Sequence, residues 1–193
     1  MKRAVVVVVG FVAIALLPMG VAPRASASPP NLSAMLLTIH QMPTGWNVSG
    51  ESVGNGGFLG NVLQPKGIRR TAEAGVSYQR GGSAPDVNEA LATFTNASTA
   101  YKKIVANLVA SKHFSATTLG VKYTVTAGHM SFPTYGNASE AFAMRFTWLG
   151  TTFHEDLLIV RKGSIVLAID EFDLSVNVSQ FQGFVKKAIA KLP

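Results

Sequence analysis

The chain contains no cysteine. That absence excludes disulfide bridges, thiol nucleophiles, iron–sulfur centres and cysteine zinc sites. It also excludes a lipid anchor on a cysteine at the end of a leader. Burial alone must therefore hold the fold together. Catalytic signatures are missing too: there is no G-x-S-x-G elbow, no S-x-x-K and no H-E-x-x-H. His40, His113 and His129 show no mutual zinc-ligand spacing, and His154-Glu155-Asp156 is not a metal motif. Gly54, Gly56, Gly57 and Gly60 miss the dinucleotide-binding G-x-G-x-x-G by one position. No internal repeat is present. These gaps leave no catalytic residue, metal ligand or cofactor to predict.

A basic stripe is also lacking. Lysine and arginine occur as scattered pairs, Arg69-Arg70, Lys102-Lys103, Arg161-Lys162 and Lys186-Lys187. Such pairs suit solvated faces and give no footprint for nucleic acid.

The most informative feature that is present lies in residues 1–27. Met1-Lys2-Arg3 is followed by the apolar run Ala4 to Leu17, then by small residues ending in Ala25-Ser26-Ala27. This order predicts a secretory signal peptide cleaved near Ala27, before Ser28, with membrane contact limited to that transient segment. The competing reading is a retained anchor. The run from Ala4 to Ala22 approaches the roughly 20 residues that span a bilayer, but Pro18 and Gly20 interrupt it. Removing Lys2, Arg3 and Arg24 lowers the formal charge from +7 to +4. Residues 28–193 are expected to form a single domain, long enough for a substantial core.

Along that stretch, Asn31 is expected to cap a short helix from Leu32 to His40, and Met42-Pro43-Thr44-Gly45 to end it. Trp46 and Val48 begin an extended segment. Gly54 to Gly67 reads as a mobile loop, with Phe58 and Leu59 as a possible lid. Strands are predicted at Val76 to Arg80, Val87 to Phe94 and Val121 to Ala127. A helix from Ala97 to Lys112 is capped by Asn96, with Ala97, Tyr101, Ile104, Val105, Leu108 and Val109 on its apolar face. Three strands follow, Glu140 to Leu149, Thr152 to Arg161 and Ser164 to Phe172, joined by turns at Gly150-Thr151 and Lys162-Gly163. A last amphipathic helix, Val178 to Leu192, presents Phe181, Phe184, Val185, Ala188, Ile189 and Leu192. The order predicts an α+β fold, an antiparallel sheet with helices packed on its faces.

Those turns fix a register. One face carries Phe142, Met144, Phe146, Trp148, Phe153, Leu157, Ile159, Val166, Ala168 and Phe172, with Glu155 opposite Asp170. The other face gathers Arg145, Thr147, His154, Asp156 and Glu171, placing Arg145 across from Asp156 and His154 across from Glu171. The first face reads as core. The second reads as cross-strand charge pairing of the ordinary stabilising kind. Five asparagines stand in N-x-S sequons: Asn31, Asn47, Asn96, Asn137 and Asn177. Capping and turn chemistry account for them without glycosylation.

Two stretches carry a resemblance. Leu36-Leu37 followed by Met42-Pro43-Thr44-Gly45-Trp46, and Gly136-Asn137-Ala138-Ser139-Glu140 followed by Ile159 to Val166, are similar to segments of exported actinobacterial proteins. The chain resembles the extracellular sensor domains of mycobacterial PknH-type kinases and the LpqN-type envelope lipoproteins. The resemblance implies a PsbP-like α/β/α sandwich and a non-enzymatic binding role outside the cell, secreted or wall-associated. The sensor domain's disulfides and the lipoproteins' lipidated cysteine have no counterpart here.

The functional expectation is therefore an exported binding or sensor-type module. Its partner would be a small apolar ligand, a glycolipid or an envelope protein, with Trp46, Arg145, Trp148, Phe153 and His154 as candidate binding residues. Two alternatives stand beside it. One is a hydrolase using His154 with Asp156 or Glu171, and the other is a structural envelope protein with no pocket.

Overall fold

The structure, a computed structural model, describes residues 30–52, 57–81, 84–111, 113–118 and 121–193. The predicted signal peptide lies outside the described residues. Among those described, no helix is long and apolar enough to cross a membrane.

Among the described residues, eight strands follow one another: β1 (Trp46–Ser52), β2 (Arg70–Arg80), β3 (Asp86–Phe94), β4 (His113–Thr118), β5 (Val121–His129), β6 (Ala138–Trp148), β7 (Thr151–Lys162) and β8 (Ile165–Asp173). The α-helices described with them are α1 (Gly57–Val62), α2 (Ala97–Ala110) and α3 (Val178–Ala190). The strands make one sheet in the order β1-β2-β3-β8-β7-β6-β5-β4, antiparallel throughout. The α+β expectation holds.

Helices cover both faces because the central strands are apolar on both sides. Leu158, Val160, Leu167 and Ile169 point to the face where α3 packs with Phe181, Phe184, Val185 and Ala188. Leu157, Ile159, Val166 and Ala168 point to the other face, against Ala97, Ala100 and Ile104 of α2 and against Leu59 and Leu63. The apolar stripes expected on α2 and α3 are the ones used.

Several expectations are corrected. Leu32 to His40 is not one helix but two 3-10 turns, Leu32–Met35 and Ile39–Gln41. The backbone extends at Leu36 (ψ 155°), which lets Leu36 and Leu37 both enter the core. Asn31 caps the first turn as expected. The glycine-rich loop contains α1, and Leu59 is buried rather than poised as a lid. The Phe58 side chain lies outside the described residues. β2 begins six residues before Val76, and β4 was not anticipated.

The two late hairpins form as predicted, but each turn sits one residue away from its expected place. β6 and β7 are joined by Leu149-Gly150, with φ values of 49° and 81°. Positive φ at both central residues is the type I′ geometry that matches strand twist. β7 and β8 are joined by Gly163-Ser164, with Gly163 at φ 60°. The pairing slides by two residues, so each side chain keeps its face and changes its partner.

Candidate functional site

The five candidate binding residues do not converge. Trp46 opens β1 and is 4% exposed. Its ring meets Phe184 of α3 edge-on at 5.6 Å, and the Arg80 guanidinium lies 5.8 Å from the ring centroid. It is a core residue, and its indole N–H has no hydrogen-bond partner. His154 is on the same face but four strands away, about 19 Å at ordinary strand spacing. Phe153 is on the opposite face. It stacks on Phe172 at 5.1 Å and 16°, and Phe172 meets Phe146 at 5.9 Å. It is half-buried there. The Trp148 side chain lies outside the described residues, although its backbone pairs with Thr151 and Tyr123.

Arg145 and His154 are brought together as direct partners across β6 and β7. The expected pairs of Arg145 with Asp156 and His154 with Glu171 are replaced by Asp156 with Glu171 and His154 with Asp173. Around them Thr124, Thr126, Ala143 and Thr147 are exposed. Asp156 is raised by burial, partly offset by the nearby His154 charge. Burial first, then the charges of Asp173 and Asp156, push Glu171 up to about 7, against the Gln180 amide that donates to it at 2.9 Å and the Arg80 charge. The two carboxylates considered with His154 lie near it on this face: Asp156 two residues along β7, and Glu171 paired with Asp156 across β8. Among the described residues, no group of three His, Asp or Glu side chains there is arranged to hold a metal ion.

A concave site exists elsewhere. A groove of about 340 Å³ lies between the two 3-10 turns and the β1–β2 edge of the sheet. Leu36, Leu37, Ile39, Val48, Val76 and Tyr78 form its apolar walls, and Ser33 and Thr38 add two hydroxyl-bearing residues. Ile39 is 36% exposed and Val48 is 44% exposed, so large apolar surface faces solvent in this groove. The volume falls at the small end of ligand-pocket sizes.

The groove is built by long-range polar contacts. The Tyr78 hydroxyl donates to the Leu37 carbonyl at 2.7 Å. The Leu37 N–H donates to Glu89 Oε2 at 2.6 Å. Both protein groups are buried, so these bonds are sheltered from competing water. Sequence reasoning missed Glu89 and Tyr78. The available signal was one carboxylate, Glu89, on the face of β3 that otherwise carries Val87 and Leu91. A charge on an apolar stripe calls for a specific partner.

No known protein family matches the chain, and no curated protein sequence does. A solved structure does. The chain is similar in fold to the extracellular domain of PknH from Mycobacterium tuberculosis. The TM-score is 0.63, over 82% of this chain and 93% of that one, at 14% sequence identity. At that identity the likeness is one of fold. It agrees with the PknH-type part of the resemblance read from the sequence.

Proposed function

We propose that this chain is an exported, non-enzymatic module of the cell envelope that binds a small apolar ligand or the apolar part of a glycolipid. The carrying observation is the groove of about 340 Å³ with Ile39 and Val48 exposed in its walls. The shared fold with an extracellular domain and the leader-like first 27 residues support a site of action outside the cell. Helices on both faces of the sheet suit the PsbP-like, LpqN-like architecture that the sequence resembles. Residues 28–193 would be the working unit, released or wall-associated after cleavage.

The test is binding of the apolar fluorophore N-phenyl-1-naphthylamine, alongside native mass spectrometry of protein recovered from an actinobacterial host. Val48→Asp places a charge in an exposed groove wall and should abolish fluorophore enhancement without loss of folding. Val178→Asp, at an exposed apolar residue at the start of α3, should leave it unchanged. Equal binding by wild type and Val48→Asp would sink the proposal.

A further inference from the structure

One wall of the groove is not sheet. Residues 36–42 make no strand pairing and contain only the short turn Ile39–Gln41. Side chains from three other elements fasten this segment by its backbone. Tyr78 of β2 and Glu89 of β3 take the carbonyl and N–H of Leu37. From α3 and its end, Lys191 donates to the Leu36 carbonyl and Lys187 to the Gln41 carbonyl. Leu36, Leu37 and Met42 supply apolar pegs beneath.

Glu89 is an unusual foundation for such a wall. It is 1% exposed, and its Oε1 has no hydrogen-bond partner. The groups around it are Tyr78 from β2, Lys191 at the end of α3, and Glu171 on β8, diagonal to it on the same face. With the segment in place the carboxyl is cut off from water. Its bond to the Leu37 N–H makes the segment one of the layers that seal it.

We infer that residues 36–42 are a strap over the groove whose closure is coupled to proton uptake by Glu89. This rests on the groove being the binding site. Burial raises the closed-state carboxyl from an ordinary 4.5 to about 7, outweighing the Leu37 N–H and the Lys191 charge. The closed strap therefore binds the proton more tightly than the open one. Opening is suppressed at acid pH, grows by up to about tenfold per pH unit between those two values, and levels off above the upper one. Because the strap supplies Leu36, Leu37, Thr38 and Ile39 to the groove, opening it takes the site apart.

Hydrogen exchange of the amides of residues 36–42 in the full chain tests this, corrected for intrinsic rates. Wild-type protection should fall at least tenfold between about pH 5.5 and about pH 8. Glu89→Gln, which keeps shape and an acceptor, should remove that dependence. Tyr78→Phe should loosen the strap at both pH values and keep the dependence. Lys191→Met removes a charge that favours ionised Glu89, so the transition should move to higher pH. Unchanged wild-type protection, a persistent pH dependence in Glu89→Gln, or an unmoved transition in Lys191→Met would overturn the strap. N-phenyl-1-naphthylamine separates the two readings. No fluorophore binding at any pH, with a responding strap, removes the groove and leaves the device. Binding with an unresponsive strap does the reverse.

Discussion

Glu155 on β7 and Asp170 on β8 lie diagonally across one strand pair, on the same face and both buried. Asn88 donates to Asp170 at 2.8 Å, whereas Glu155 Oε1 has no partner. Burial raises both carboxyls; the Asp170 and Asp156 charges push Glu155 further, well above the ordinary range, and the Asp86 charge adds to Asp170 against the Asn88 hydrogen bonds. The Asn88 bond favours Asp170 as the charged member, so Glu155 holds the proton. Folded-state pKa values above the unfolded ones mean that the native state binds more protons. Stability is then greatest on the acid side and is lost as pH rises past the ordinary carboxylate range. Urea melts should show falling stability from about pH 5 to about pH 8. Glu155→Gln should flatten that slope and gain at least about 1 kcal/mol at the upper end. A slope unchanged in Glu155→Gln would refute the assignment.

Gly136 and Gly163 make a controlled contrast. Both have positive φ, 62° and 60°. A Cβ on Gly136 would sit 2.5 Å from the Arg161 carbonyl oxygen, whereas one on Gly163 meets open space. Gly163→Ala should cost about 1–2 kcal/mol, the backbone term alone. Gly136→Ala should cost clearly more, because backbone must shift, and thermal denaturation of the pair would measure the difference.

Several sequon asparagines bond backbone N–H groups through their side chains. Asn96 accepts from Thr99 N–H at 3.0 Å, and Asn177 accepts from the Ser179 and Gln180 N–H groups at 3.1 and 3.2 Å. Asn137 accepts from Gly163 N–H at 2.7 Å and so ties β6 to the β7–β8 turn. Alanine at Asn96 or Asn177 should cost about 1 kcal/mol each. Alanine at exposed Asn47 should change stability by under about 0.5 kcal/mol. Equal effects at all three would contradict the capping roles.

Two residues first considered as binding candidates should separate sharply by stability. Trp46→Ala removes a buried ring packed on Phe184 and should cost about 3–5 kcal/mol. His154→Ala removes a half-buried ring and should cost less than about 1 kcal/mol. Chemical denaturation of the two variants checks both.

These contrasts show where the sequence was legible. The face of every residue in the β6–β7–β8 unit follows from a period of two, so moving each turn by one residue, and the pairing by two, left Phe142, Leu157 and Val166 on their predicted side. The partners did not survive that slide, and any site built on Arg145–Asp156 went with them. The cause is Leu149, a leucine at positive φ, which local preference argues against. Asn31, Asn96 and Asn177 were readable because capping is short-range chemistry. The groove was not, because it depends on Leu37 meeting Tyr78 and Glu89 across 41 and 52 residues of chain. Leu36-Leu37 suggested a helix face, and only the interruption between the two 3-10 turns reveals a wall.

The sheet order joins two ribbons, β1-β2-β3 and β8-β7-β6-β5-β4, along a single seam between β3 and β8. The strand that closes this seam is the last one in the chain, and α3, which covers one whole core, comes after it. A growing or threading chain therefore has two separate meanders with bare apolar faces until about residue 165 has emerged, and such non-local closure is slow. Residues 165–193 act as a zip fastener, so removing them should abolish the fold rather than trim it.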